Sequence, residues 1–325
     1  MLHVSSGINR TAVRSQTAVR LTKAALQAAY ILSEDLGTSL AERLFTSPHR
    51  HPRPERERAV LARGWEFSVE VTIRRLGERR RVTAWRWGHG PTVLLVHGWE
   101  GRGAQLGSFI EPLVRAGLSV VAFDALGHGD SPGNRLYVTD MADCVADVAR
   151  AAMPIHGIVA HSFGAAGVLL AYRRGAVDAK RNVMIAPNVV FSDAVAQFGR
   201  AVSLDDRDCG ALEQQLADHA GVNVAELQIE RLVGERKAAL LVIHDEADRE
   251  VPFRHGERLV AAWRHAKLQA THGLGHRRIL RDDQVIAEAV AFLQYGVSPP
   301  ASELVREVDR LLAEGGDGGE GAGGM

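Results

Sequence analysis

Short apolar runs are separated along most of the chain by longer stretches in which apolar residues recur with the helical period. Each uninterrupted run is short enough for a strand that is buried on both faces. Five such runs begin at Thr92, Ser119, Ile155, Asn182 and Ala239. Two earlier runs, Trp65 to Ile73 and Val82 to Ala84, alternate apolar with polar residues, which is typical of antiparallel edge strands. The pattern predicts an α/β domain with one mostly parallel sheet covered by helices.

The chain before the sheet has a different pattern. From Thr17 to Phe45 it is rich in Ala and Leu, and an apolar stripe at helical spacing predicts an amphipathic helix that could break at Gly37. Mixed charges in this stretch favour packing against the rest of the protein over lying on a membrane surface. The segment Ser47 to Arg58 is rich in proline and arginine and predicts an extended basic linker. Residues 1–64 are therefore expected to be a helical arm followed by a linker.

Residues 188–237 interrupt the alternation of strands and helices. Three helical patterns follow one another there without a convincing strand, at Phe191 to Val202, Ala211 to His219 and Val224 to Val233. We expect a helical insertion between two parts of one core, residues 65–187 and 238–313. The glycine-rich end, residues 314–325, is expected to be disordered and without function.

The most informative residues surround Ser162. The sequence Ala160-His161-Ser162-Phe163-Gly164 follows the apolar run at Ile155 and leads into a helix-forming stretch. A sharp turn between a strand and a helix lifts a serine hydroxyl clear of the sheet, and small neighbours let the strand and the helix approach closely. Ser162 is therefore the candidate nucleophile, although Ala160 stands where this motif normally has glycine.

A serine nucleophile needs a base, a carboxylate that orients the base, and donors for the oxyanion. The sequence His97-Gly98-Trp99 follows the run at Thr92. Its backbone can bend so that the Trp99 N–H points at the developing charge. The N–H of Phe163, directly after the serine, is the second candidate donor. Taken alone, the His-Gly pair would indicate only a turn at the end of a strand.

Together with the segment Asp124-Ala125-Leu126-Gly127-His128-Gly129-Asp130-Ser131, these motifs resemble the α/β-hydrolase superfamily. The resemblance covers most of the chain, roughly from Trp65 to Gly296. It implies the α/β-hydrolase fold, with residues 188–237 as a helical cap over the serine. It also implies that His128 and Ser131 are structural residues beneath the active site.

The resemblance extends to the other two members of a triad in the chain order Ser, Asp, His. The family pattern Asp-x-x-Val-Pro falls on Asp248, with Asp245 or Glu246 as the fallback, and the pattern Gly-His falls on His276. His272 remains an alternative base or a supporting residue. A metal site made by the two histidines is disfavoured, because the glycines between them oppose the helix that would place both on one face.

Composition narrows the classes of function. Lys plus Arg equals Asp plus Glu at 39 each, so the net charge gives no indication of a nucleic-acid partner. Cys144 and Cys209 are far apart in sequence, which argues against a disulfide framework or a zinc site. The sequence contains no apolar stretch long enough to span a membrane, no recognisable secretory signal, and no phosphate-loop or dinucleotide motif. A cytoplasmic protein without cofactor or metal is expected, acting on a small-molecule acyl substrate.

The expected activity is that of a serine hydrolase that cleaves a carboxylic ester, or else a thioester or amide, through an acyl-enzyme on Ser162. Serine aminopeptidase-like and lysophospholipase-like hydrolases are the alternatives among enzymes, and Glu100 could bind a substrate ammonium. A non-catalytic binding or scaffold protein on the same fold is the alternative of another class. In the cap, the candidate pocket residues are Phe191, Phe198 and Leu204.

Overall fold

The computed structural model describes residues 7–295 of the 325-residue chain. The tail at residues 314–325, for which disorder was expected, lies outside the described residues. The described part contains eight strands: β1 Trp65–Ile73, β2 Glu78–Trp87, β3 Thr92–Val96, β4 Ser119–Phe123, β5 Ile155–His161, β6 Arg181–Ile185, β7 Ala239–Asp245 and β8 Ala266–Thr271. They form one sheet in the order β1-β2-β4-β3-β5-β6-β7-β8.

The sheet is mostly parallel, as the apolar runs predict. Strand β2 pairs antiparallel with β1 and with β4, and all the other neighbours are parallel. Two details differ from the prediction. Strand β2 is not an edge strand, because β4 pairs with its second side. Strand β8 was not predicted, because its half-exposed sequence lacks an apolar run. The parallel strands β3, β5, β6 and β7 place the residues that follow them at one edge of the sheet.

Helices cover both faces of this sheet. In chain order they are α1 Gly7–Leu32, α2 Glu34–Thr46, α3 Glu55–Leu61, α4 Ile110–Arg115, α5 Val138–Ala152, α6 Phe163–Arg173, α7 Phe191–Val202, α8 Asp206–Ala220, α9 Ile229–Val233, α10 Arg254–Ala262, α11 Gly275–Arg278 and α12 Asp283–Tyr295. Helices α5, α6 and α10 contribute to the apolar core on one face. Helices α4 and α12 contribute to the core on the other. No helix within residues 7–295 is long and apolar enough to cross a membrane.

The N-terminal arm is a helical hairpin and not a single helix. The prediction of a break at Gly37 was wrong, because the chain leaves the helical conformation at Ser33 instead. Gly37 has a different role: a Cβ there would lie 2.3 Å from the Tyr30 ring, so the glycine lets α2 approach α1 closely. The predicted linker is also shorter than expected, since α3 begins at Glu55.

Residues 188–237 are helical throughout their regular structure, as their pattern predicts. Helix α8 starts earlier than expected because the Asp205 side chain accepts a hydrogen bond from the Asp208 N–H, 2.8 Å away, and caps the helix. A 3₁₀ turn at Val224–Leu227 precedes α9. The arm and this insertion share a third apolar cluster, which includes Leu26, Ala41, Leu212 and Leu216. Thus the two segments that interrupt the sheet pattern pack against each other.

Candidate active site

Ser162 lies at the sharp turn between β5 and α6. Its backbone has φ 52° and ψ −123°, a conformation that L-residues rarely adopt. The turn is stabilised by hydrogen bonds to the Ser162 carbonyl from the backbone N–H groups of Ala165 and Asn188. Close packing also requires Gly164, where a Cβ would lie 2.4 Å from the His97 carbonyl oxygen. The strained turn presents the hydroxyl at the carboxyl end of β5.

Asp248 lies in the loop after β7 and His276 in the short helix α11 after β8, at the same edge of the sheet as Ser162. His276 Nε2 lies 3.0 Å from Ser162 Oγ, and His276 Nδ1 lies 2.8 Å from Asp248 Oδ2. The two contacts form an unbroken line of hydrogen bonds from Asp248 through His276 to Ser162, and each of these residues follows a different strand. Such a line can remove the serine proton and hold the imidazole in one tautomer.

Asp248 is held as a buried carboxylate. Its Oδ1 accepts hydrogen bonds from the N–H groups of Glu250 and Val251, at 2.8 Å and 3.0 Å. Burial alone would raise the pKa of Asp248, but hydrogen bonds from His244 and His276 outweigh burial and hold this pKa well below its ordinary value. The group beside His276 is therefore charged at neutral pH.

The competing acidic residues and the second histidine have other contacts. Asp245 Oδ2 accepts hydrogen bonds from the Thr271 hydroxyl and the Leu274 N–H, which shape the loop that carries His276. Glu246 and His272 pair with each other at 3.1 Å on the surface. The structure therefore brings Asp248 to the serine through His276, and leaves Asp245, Glu246 and His272 outside this line of hydrogen bonds.

The loop after β3 packs against the other side of Ser162. His97 is fully buried, donates from Nδ1 to the Gly98 carbonyl and accepts at Nε2 from the Ala125 N–H. The Trp99 ring meets the Phe163 ring edge to face, with centroids 5.6 Å apart. Among the described residues, neither the Trp99 N–H nor the Phe163 N–H has a hydrogen-bond acceptor. Both backbone donors are free beside the serine.

The side chains of Ser131 and His128, in the segment from Asp124 to Ser131, make hydrogen bonds that hold neighbouring backbone segments in place. Ser131 Oγ donates to the Asp124 carbonyl and accepts from the Thr83 N–H. His128 accepts at Nε2 from the Glu100 N–H at 3.1 Å, so it fixes the loop that carries Trp99. Burial lowers the pKa of His128 to about 4, which keeps the ring neutral and able to accept.

Two histidines that the sequence analysis missed support the line of hydrogen bonds. His161 is buried directly before Ser162, and its Nε2 lies 3.1 Å from the His276 carbonyl oxygen. His244 Nε2 lies 3.4 Å from Asp248 Oδ2. Burial lowers the pKa of His161 to about 3, so this ring is neutral and can donate through one nitrogen only. Their places, next to the nucleophile and at the end of β7, are the features that could have identified them.

A cavity of about 550 Å³ opens beside Ser162 and His276. Phe191 and Phe198 of α7 line it, together with residues of α2 and α8. Leu204 does not line it, because a left-handed residue at Ser203 ends α7 and directs the next residue toward Cys209 in the third apolar cluster. Within residues 7–295 there is no group of three His, Cys, Asp or Glu side chains placed to hold a metal ion.

Comparison by sequence identifies one related family. The model described as serine aminopeptidase, S33, matches residues 89–205. The match runs from just before β3 to just after α7, so it includes Ser162 and ends before Asp248 and His276. No curated protein matches the chain in sequence.

Comparison by structure gives enzymes with the same fold. A monoacylglycerol lipase from Paleococcus ferrophilus is 21% identical, with a TM-score of 0.52 over 66% of this chain and 99% of that one. An esterase from Pyrococcus furiosus is 19% identical, with a TM-score of 0.53 over 73% and 91%. A carboxylesterase from Bacillus subtilis is 14% identical, with a TM-score of 0.54 over 75% and 97%. Its strand order and these structural neighbours show that the chain has the α/β-hydrolase fold, and its residues 89–205 are similar to the family described as serine aminopeptidase, S33.

Proposed function

We propose that the protein is a serine hydrolase that cleaves carboxylic esters through an acyl-enzyme on Ser162. The observation that carries this proposal is the unbroken line of hydrogen bonds from Asp248 through His276 to the serine hydroxyl. Such a line activates a hydroxyl that is otherwise a poor nucleophile near neutral pH. Structural likeness to a monoacylglycerol lipase and to two esterases supports an ester as the substrate.

In the proposed reaction, Ser162 Oγ attacks the ester carbonyl carbon while His276 Nε2 takes the hydroxyl proton. Asp248 accepts a hydrogen bond from the Nδ1–H of His276, and its negative charge stabilises the imidazolium. His276 then gives its proton to the leaving alkoxide as the C–O bond breaks, and the acyl group remains on the serine. A water molecule attacks this acyl-enzyme with His276 again as the base, which releases the acid and restores the hydroxyl.

The oxyanion of each tetrahedral intermediate is stabilised by the N–H groups of Trp99 and Phe163. The absence of an acceptor for either group among the described residues supports this assignment. Phe163 is also the first residue of α6, where the helix dipole favours negative charge. The contact between the two rings fixes one donor relative to the other. Preorganised donors of this kind supply a large share of the catalysis in acyl transfer.

The helical insertion, residues 188–237, is the proposed cap of the active site. Its helix α7 lines the cavity through Phe191 and Phe198. A cap excludes water from the acyl group and strengthens the electrostatic interactions around the oxyanion. The proposed core comprises residues 65–187 and 238–313, of which residues 296–313 lie outside the described part of the chain.

Hydrolysis of a panel of p-nitrophenyl esters tests the proposal. Ser162→Ala and His276→Ala should each lower kcat by about 10⁴-fold or more, because the residues of a triad act as a unit. Ser68→Ala is the matched control, since Ser68 is exposed on β1 far along the sheet. Full activity in a folded Ser162→Ala protein would reject the proposal. Inactivity of the wild type on every ester would favour the non-catalytic binding protein.

An aminopeptidase-like activity is the second candidate. The matched family model carries that description, and Glu100 places a carboxylate in the cavity lining. The carboxylate already accepts from the His49 N–H at 3.2 Å and lies 3.6 Å from His51 Nε2, which weakens the case for a free ammonium site. Aminoacyl p-nitroanilides discriminate between the candidates: hydrolysis of these and loss of it in Glu100→Gln would select the aminopeptidase. Hydrolysis of a lysophospholipid, measured beside these substrates, tests the remaining alternative, a lysophospholipase-like hydrolase.

A further inference from the structure

The cavity beside Ser162 has two chemically different ends. The charged lining residues Glu100, Glu250 and Arg277 have 29%, 46% and 68% of their side-chain surfaces exposed, which places them at its mouth. The apolar lining residues Leu216 and Leu232 are only 2% and 3% exposed, which places them at its depth. An apolar group gains most at the deep end, and a polar group keeps its hydration at the mouth.

The N-terminal hairpin contributes one wall of the cavity. Leu44 and Phe45 of α2 both line it. The Phe45 ring meets the Phe198 ring of α7 edge to face, with centroids 5.4 Å apart and an interplanar angle of 87°. Leu216 on α8 faces the same cavity and belongs to the cluster that holds α2. The cavity is thus enclosed jointly by the proposed cap and by a segment that precedes the whole sheet.

A buried carboxylate fixes this wall in place. Glu42 on α2 is 3% exposed and accepts hydrogen bonds from the hydroxyl of Tyr137, the amide of Gln215 and the ring of His219. These partners belong to the start of α5 and to α8. Burial alone would raise the pKa of Glu42, but the three donors outweigh it and lower this pKa, so the group is charged at neutral pH. The hairpin is therefore bound to the core and to the insertion at once.

Residues 47–54, which follow the hairpin and precede α3, are also attached to the core. The Arg50 guanidinium donates to the carbonyl oxygens of Gly127, Gly129, Ser131 and Gly133 at 2.6–3.2 Å. Just before it, the Thr46 carbonyl accepts from the Leu136 N–H at 2.8 Å. The rigid fork of arginine suits an array of acceptors of this kind. Contacts on both sides of residues 47–49 hold the cavity lining at a fixed position.

We propose that the cavity is a chamber for a linear aliphatic acyl chain, and that Phe45 of the hairpin sets the length of chain it accepts. The proposal rests on the hydrolysis of esters at Ser162 proposed above. The acyl chain extends between α2, α7 and α8, and the leaving group lies at the charged mouth. The hairpin is in this view a specificity element, although it lies outside the α/β-hydrolase core.

Binding of straight-chain carboxylates to the Ser162→Ala protein tests the chamber without requiring turnover. The probes are butyrate, hexanoate, octanoate, decanoate and laurate, measured by isothermal titration calorimetry. The carboxylate is constant along the series, so differences report on the methylenes alone. Burial of each methylene should tighten binding about fourfold until the chamber is full, after which the affinity stops rising.

Two substitutions of Phe45 should move this limit in opposite directions. Phe45→Ala enlarges the chamber and should shift the limit to a longer chain, while Phe45→Trp fills it and should shift the limit to a shorter one. Leu36→Ala, on an exposed part of the same helix, is the matched control and should shift nothing. Thermal unfolding checks that each variant is folded, and Phe45→Leu replaces any that is not.

The outcomes separate this proposal from the proposed function. Affinity that does not depend on chain length, or a limit unmoved by every folded Phe45 variant, would overturn the chamber. Length-dependent binding that shifts with Phe45, in a protein that hydrolyses no ester, would support the chamber and reject only the hydrolysis.

Discussion

Acid should destabilise this protein through histidines that are buried in their neutral form. Burial lowers the pKa of His97 and of His161 to about 3, and that of His128 to about 4. Two of the rings use the neutral form directly, because His97 accepts the Ala125 N–H and His128 accepts the Glu100 N–H. A protonated ring has no acceptor nitrogen, so protonation would break both bonds.

The sign and size of the effect follow from the difference between the folded and unfolded states. In the unfolded chain a histidine binds its proton near pH 6.5, whereas these rings stay neutral in the folded protein down to about pH 4 or below. Stability is therefore lost as the pH falls through 6.5. From pH 7 to pH 5 each ring costs about 2 kcal/mol, so the three together cost about 6 kcal/mol. This loss is comparable to the whole stability of many domains.

Urea unfolding at pH 7 and at pH 5 measures the loss of stability, and the His128→Gln variant measures the part of this loss that comes from His128. Glutamine offers an acceptor oxygen for the Glu100 N–H but takes up no proton, so the variant should lose about 4 kcal/mol over the same interval. His89→Gln, at an exposed turn, is the control and should behave as the wild type. A wild-type unfolding free energy that is the same at both pH values would refute the reasoning, as would a His128→Gln protein with an unchanged pH dependence.

Two further predictions concern the buried carboxylates. Asp248→Asn should lower kcat/KM by about 10⁴-fold in a protein that is still folded, because an amide no longer fixes the His276 tautomer. Steady-state kinetics beside Glu246→Gln, an exposed carboxylate that should be silent, checks this, and a near-wild-type Asp248→Asn enzyme would contradict it. Glu42→Ala should lower the free energy of unfolding by about 2–3 kcal/mol, because it leaves the buried Tyr137 hydroxyl and the half-buried Gln215 amide without their acceptor. Glu34→Ala on the same helix removes an exposed ion pair with Arg207 and should cost under about 1 kcal/mol, and equal losses in the two variants would count against the role of Glu42.

The parts of the fold that could be predicted are those with a local signal. Strands buried on both faces need uninterrupted apolar runs, so β3 to β7 are visible in the sequence. The strand β8 is only half buried and carries no such run. Gly37 was misread for a related reason: a glycine in a helical pattern can mark a break or a close approach, and only the position of Tyr30 decides between them.

The candidate site also contains residues that a local sequence motif identifies and residues that no local motif identifies. Ser162, Asp248 and His276 were each selected from a short motif, and the structure brings the three side chains together. The cavity could not be predicted, because its wall depends on contacts between distant segments. Phe45 meets Phe198, and Glu42 meets His219, 177 positions along the chain. No local pattern encodes such pairs, so the contribution of the hairpin to the site becomes visible only in three dimensions.

The central claim is that Ser162 is an activated nucleophile, and intact mass after treatment with a fluorophosphonate tests it most directly. A single phosphonyl adduct is expected on the wild type, no adduct on Ser162→Ala, and a much slower reaction for His276→Ala, because the base activates the hydroxyl. An adduct that persists in the folded Ser162→Ala protein would show that Ser162 is not the activated nucleophile. So would a folded wild-type protein that remains unmodified by a probe small enough to enter the cavity.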